Sequence, residues 1–200
     1  ISMPILRVTK NEKTLCSVGS EDVWMFSASV NADIWGPERS TLTITGGGKH
    51  QPDGSSEFLI WEMAHELLAG DRLAFAFEDG IASSTKGKSM EDEPTPEDEK
   101  ANFSGPVLDN EIARLQARPR SNTSCAWRFA VQGETEILAA PDETRECLTL
   151  HLLWNEMRAH RMRVSLSKSS FREIASKTGG EELFLSYVEV GARVEVAIEI

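Results

Sequence analysis

The chain has 200 residues, 40% hydrophobic and 26% charged, a globular balance that excludes fibrous and wholly disordered classes. Its formal net charge is −11, with −6 in residues 1–80, −3 in 81–105 and −2 in 106–200. A field of that sign repels a phosphate backbone, which argues against nucleic acid as the main ligand and favours a basic partner. No apolar run reaches the ~18–20 residues that a membrane-spanning helix needs. Ile1–Leu6 lacks a basic stretch followed by an apolar one. Cys16, Cys125 and Cys147 are odd in number and widely spaced, unlike a secreted disulfide framework. The expectation is a cytoplasmic protein with no membrane association.

Period-2 alternation dominates the first eighty residues. Ile5-Leu6-Arg7-Val8 opens as a strand and Lys10–Lys13 follows as a polar turn. Phe26, Ala28 and Val30 alternate with serines, and Leu42 and Ile44 with threonines, as half-buried strands do. Gly46-Gly47-Gly48 is expected to end that second strand, with a loop over 49–55. Phe58–Trp61 reads as a short apolar strand, and Leu73, Phe75 and Phe77 alternate after the Gly70-Asp71 turn.

Residues 81–105 hold almost nothing that could be buried, Glu91 to Lys100 being acidic and proline-broken, so they read as an acidic flexible connector. A short helix is expected from an N-cap at Asp109 or Asn110, with Ile112 and Leu115 on one face and Pro119 as the stop. Alternation then returns in Leu148/Leu150/Leu152 and Met162/Val164/Leu166. Phe171–Ala175 reads as a helical turn closed by Gly179-Gly180, before strands at Leu183/Leu185 and Val194/Val196/Ile198.

The second half repeats the features of the first in order. Phe26/Ala28/Val30 falls on Leu148/Leu150/Leu152 at a shift of 122, Ile34-Trp35 on Leu153-Trp154 and Arg39 on Arg158 at 119. Leu42/Ile44 falls on Met162/Val164 at 120, and Phe58/Ile60 on Leu183/Leu185 at 125. Gly70–Glu78 falls on Gly191–Glu199 at a constant 121. The fold class expected is mainly β: two related antiparallel β-domains, sandwich or barrel-like, from an internal duplication, with one or two short helices. The boundaries are 3–80, the connector 81–105, and 106–200.

From Phe58 to Glu78 an apolar strand with Trp61, then Leu67-Leu68-Ala69-Gly70-Asp71, leads into an alternating strand ending in acid. This stretch resembles a segment of small uncharacterised bacterial β-domain proteins. The resemblance implies a β fold and brings no activity, and the second half departs from it with Ala192 in place of the turn aspartate.

Catalytic patterns are sparse. His65-Glu66 begins like a zincin helix, but Ala69 stands where the second histidine would be. His151 and His160, with Glu156 between them, sit on consecutive strands as surface histidines. Gly46-Gly47-Gly48-Lys49 lacks the spacing and following Ser/Thr of a phosphate loop. Glu62 with Glu66 and Glu181 with Glu182 are pairs that an acidic chain produces anyway. Neither a metal nor a cofactor is indicated.

Two groups remain as binding candidates. Arg158, His160, Arg161, Arg163 and Lys168 form a basic cluster in which Arg161 and Arg163 share one strand face, suited to phosphate, an acidic peptide or the chain's own acidic run. Five tryptophans against one tyrosine make Trp35 and Trp61 candidates for a sugar or a partner's apolar side chain. The leading expectation is a non-enzymatic protein-binding module whose acidic face meets a basic partner, as a toxin-neutralising immunity protein does. The alternatives are a small-ligand or carbohydrate-binding β-domain and an enzyme of unfamiliar type.

Overall fold

A computed structural model describes residues 3–35, 40–80, 86–89, 105–120, 125–132 and 136–199. Most of the acidic connector, with Glu91–Lys100, and Arg39 lie outside these. The described strands are β1 (Pro4–Lys10), β2 (Lys13–Gly19), β3 (Val23–Asp33), β4 (Ser40–Gly48), β5 (Phe58–Leu67), β6 (Arg72–Asp79), β7 (Lys88–Ser89), β8 (Ala126–Val131), β9 (Ile137–Ala139), β10 (Cys147–Asn155), β11 (Arg161–Ser169), β12 (Glu181–Glu189) and β13 (Arg193–Glu199). The helices are α1 (Gly105–Gln116) and α2 (Phe171–Ser176). The fold is mainly β, as expected, and neither sheet closes into a barrel.

One sheet has the order β2-β1-β6-β13-β8-β9 and the other β12-β11-β10-β3-β4-β5-β7, with every pairing antiparallel. Alternation decides which face is covered. On β3 Phe26, Ala28 and Val30 are buried, as are Leu148, Leu150 and Leu152 on β10, and Leu73, Phe75 and Phe77 on β6. These faces meet in a single core drawn from both sheets and both halves of the chain. Phe26 of one sheet sits edge-on to Phe77 of the other at 6.5 Å, and Phe129 to Phe184 at 5.1 Å. Both sheets cross between the halves, through β6·β13 in one and β3·β10 in the other.

The strand orders are palindromic. Exchanging β1, β2 and β6 for β8, β9 and β13 returns the first sheet reversed; exchanging β3, β4 and β5 for β10, β11 and β12 does the same in the second, apart from β7. The registers match as well. Ala28 faces Ile44 while Leu150 faces Leu166, a displacement of 122 on both strands. Leu6 faces Phe77 while Trp127 faces Ile198, a displacement of 121. The ladder therefore sets Leu42 and Ile44 against Val164 and Leu166, two residues from the alignment read off the sequence. A two-residue slip leaves every side chain on its own face, so hydrophobic pattern cannot detect it.

Other elements differ from expectation for local reasons. Gly46, Gly47 and Gly48 stay in β4. An added Cβ on Gly46 would lie 2.9 Å from the Met25 carbonyl and 3.1 Å from the Trp61 ring, and one on Gly47 would lie 2.4 Å from Trp24 Nε1. The glycines let indoles approach the strand rather than end it. β5 continues past Trp61 to Leu67, absorbing two register shifts against β4, with Ala64 at φ +48°. Helix α1 begins at Gly105, so Asp109 lies inside it and pairs with Arg172 of α2 at 3.0 Å. β2, unassigned from sequence, follows a two-residue turn in which Asn11 and Glu12 both have positive φ, the geometry that matches strand twist.

Candidate binding site

The site is built at the turn joining β10 to β11. β10 ends at Asn155, a 3-10 turn spans Glu156–Arg158, and β11 starts at Arg161. Burial of Met162 and Val164 fixes the phase of β11, so Arg161 and Arg163 face outward. The ladders set Arg163 between Leu153 of β10 and Tyr187 of β12. Arg158 Nη1 donates to the Tyr187 hydroxyl at 3.0 Å, and the guanidiniums of Arg158 and Arg161 lie 5.5 and 5.0 Å from the centre of its ring. Both distances are within cation–π range. Together with Leu153, Asn155 and Met157 these residues line a cavity of about 290 Å³.

Its electrostatics are one-sided. Among the described residues, no carboxylate pairs with Arg158, Arg161 or Arg163, although Glu189 stands opposite Arg161 in the ladder. Elsewhere Arg7 pairs with Glu78, Arg128 with Glu199, Arg145 with Glu181 and Arg193 with Glu195, at 2.8–3.0 Å. Two buried atoms at the cavity, Arg161 Nε and Asn155 Oδ1, have no hydrogen-bond partner. His151, two residues before Leu153 on the same face, is held below the usual imidazole range, first by burial and then by the charge of Arg163.

Arg158, Arg161 and Arg163, singled out from sequence, are thus brought together. Trp35 and Trp61 are elsewhere. Trp35 is buried just beyond β3, its ring stacked on Phe171 of α2 at 5.3 Å. Trp61 packs beneath Gly46 and Gly87 and edges a separate hollow of about 540 Å³, with Lys49, Glu57 and Lys86. Sequence reading missed Tyr187 and Asn155. The only trace was Tyr187 sharing the parity of Leu183 and Leu185, and its pairing with Arg163 depends on the β11–β12 register.

Three of the four histidines have a polar or ring partner. His151 Nε2 and Ser27 Oγ are 2.8 Å apart, His65 contacts Glu62 at 3.3 Å, and His50 stacks on Trp24. All three cysteines are free and buried. Burial pushes the Cys16 and Cys147 thiols up to about 12. Among the described residues, no three His, Cys, Asp or Glu side chains are grouped to hold a metal, and no helix is long and apolar enough to cross a membrane.

The displacement of 122 gives four of the seven cavity residues a described counterpart in the first half: Asn31 for Leu153, Asp33 for Asn155, Trp35 for Met157 and Thr41 for Arg163, while those of Arg158 and Arg161 lie outside the described residues. Asn31, Asp33 and Thr41 line a smaller hollow of about 150 Å³, which Ile174 of α2 also lines. The helix there is encoded locally. Ser170 accepts from the Glu173 amide, and Glu173 accepts from the Ser170 amide, a capping box. The matching stretch between β4 and β5 holds Pro52-Asp53-Gly54 instead. It forms a turn, with Asp53 accepting from Ser55 N and Gly54 at φ +83°. Met157 is left 86% exposed, against 9% for Trp35.

No family model, no curated protein and no solved structure matches the chain.

Proposed function

We propose that the chain is a non-enzymatic recognition module formed by duplication of one β unit, with its recognition surface where β10, β11 and β12 meet. The observation that carries this reading is the trio Arg158, Arg161 and Arg163, gathered around an exposed tyrosine with no carboxylate paired to them among the described residues. Paired structural arginines hold a surface together, whereas unpaired clustered ones wait for an anionic group from outside. The palindromic strand order supports duplication, because two fused copies bury each other's junction strands and free equivalent surface positions to diverge. Net charge still favours a basic partner for the first half; the local field at β11 favours the opposite.

A photo-crosslinking residue in place of exposed Met157 tests the reading in cells. Capture of a partner by this protein, lost in the Arg161→Glu, Arg163→Glu double variant, is expected; capture unchanged by the double variant would reject it.

A second reading, binding of a small neutral or sugar ligand, draws on the hollow beside Trp61. It is weaker because Gly46 and Gly87 pack against the indole and leave little ring for stacking. Tryptophan fluorescence across a glycan panel, in the protein and in Trp61→Phe, would reveal such binding.

A further inference from the structure

We propose that the cavity beside Tyr187 binds the phosphate of a small phosphate monoester, held by Arg158, Arg161 and Arg163, with the organic part of the ligand against Leu153 and Met157. This assignment rests on the reading of the same surface as a recognition site, and adds to it the chemistry of the ligand.

The number and placement of the cations select the anion. A carboxylate has two oxygens and is satisfied by one guanidinium fork. A phosphate monoester has three terminal oxygens and a charge of about −1.5 to −2 near neutral pH, which matches three guanidiniums. The cations are also held in position. Two lie over one tyrosine ring, and Arg158 is fixed by its bond to the hydroxyl, so little ordering remains when the ligand arrives. At about 290 Å³ the cavity has room for a small ligand only.

The counterpart positions supply a comparison within one molecule. Where the first half has Asp33, the cavity has neutral Asn155, and where the first half has Thr41, it has Arg163. Each difference moves the local charge in the positive direction. Trp35 is stacked under Phe171 while Met157 stands open, so the basic copy is also the uncovered one. The net charge of −11 does not oppose this, since it disfavours long polyanions more than a single small one.

Isothermal titration of the full chain with inorganic phosphate and with glycerol 3-phosphate, at constant ionic strength and with acetate as comparison, tests the assignment. Saturable binding of both phosphates and none of acetate is expected. Arg161→Gln should weaken it roughly tenfold or more, as loss of a charge-assisted hydrogen bond does, and Arg128→Gln, on the other sheet, should leave it unchanged. Arg158→Gln, at an exposed turn position, is the second variant should Arg161→Gln fold poorly, and should weaken binding too. Phosphate binding no stronger than acetate binding, or binding indifferent to both cavity variants, overturns the proposal. If phosphate does not bind while arginine-dependent cross-linking at position 157 persists, the ligand assignment falls and the recognition surface stands.

Discussion

Phe26 and Trp154 are direct cross-strand partners, their rings stacked 5.0 Å apart at 18°. Each belongs to a different half, so this contact lies on the β3·β10 ladder that joins the halves. Phe26 is fully buried, Trp154 nearly so, and the indole N–H donates to the Ala159 carbonyl at 3.0 Å, tying the start of the arginine-bearing strand to the core.

Trp154→Ala should therefore cost about 3–5 kcal/mol, the range for deleting a large buried aromatic side chain. Urea unfolding followed by far-UV circular dichroism and by fluorescence checks this. One shifted transition common to both probes is expected; two separated transitions would mean that the halves unfold independently.

Gly46 is enclosed by the Met25 carbonyl, the Trp61 ring and the Val23 side chain, all within 3.2 Å of an added Cβ. Gly46→Ala should destabilise by about 1–3 kcal/mol through overpacking. Gly179→Ala, with open space but a φ of +76°, tests backbone strain alone. Thermal denaturation of the two variants separates the mechanisms, and an unperturbed Gly46→Ala would show that the Met25 carbonyl, Trp61 and Val23 all give way freely.

The thiols should be inert in the folded protein. Burial raises Cys16 and Cys147 to about 12, aided by Glu62 at the first and by Asp33 and Glu146 at the second. Cys125 is equally buried beside Ser40. Since only the thiolate reacts, a colorimetric thiol reagent should modify almost nothing in the native state and all three cysteines in denaturant. Rapid labelling of one native cysteine would show that the core opens locally.

His151 makes stability depend on pH in a definite direction. Its folded pKa lies below the ordinary value, so the unfolded chain takes up the proton first as pH falls. The stability contributed above about 6.5 is lost progressively below that value, towards the folded pKa. His151→Gln should reduce the difference in urea midpoint between about pH 7 and about pH 5, within the titration range of histidine. An identical difference in both proteins would show that burial and the charge of Arg163 leave the imidazole unperturbed.

What the sequence determined is local. Alternation marks Phe26/Ala28/Val30 and Leu148/Leu150/Leu152 as strands, and it puts Arg161 and Arg163 on one face because Met162 and Val164 claim the other. The Ser170–Glu173 spacing carries α2 and the Pro52-Asp53-Gly54 stretch carries a turn, each through bonds between near neighbours. The tertiary structure alone decided that β3 pairs with β10 and β6 with β13, that Tyr187 lies beside Arg163, and that indoles occupy the space the glycines of β4 leave. The physical reason is that a period of two fixes the face a residue occupies but not the strand beside it. Any alternating segment can pair with any other in registers two residues apart, and only the filling of the shared core and the reach of each turn select one.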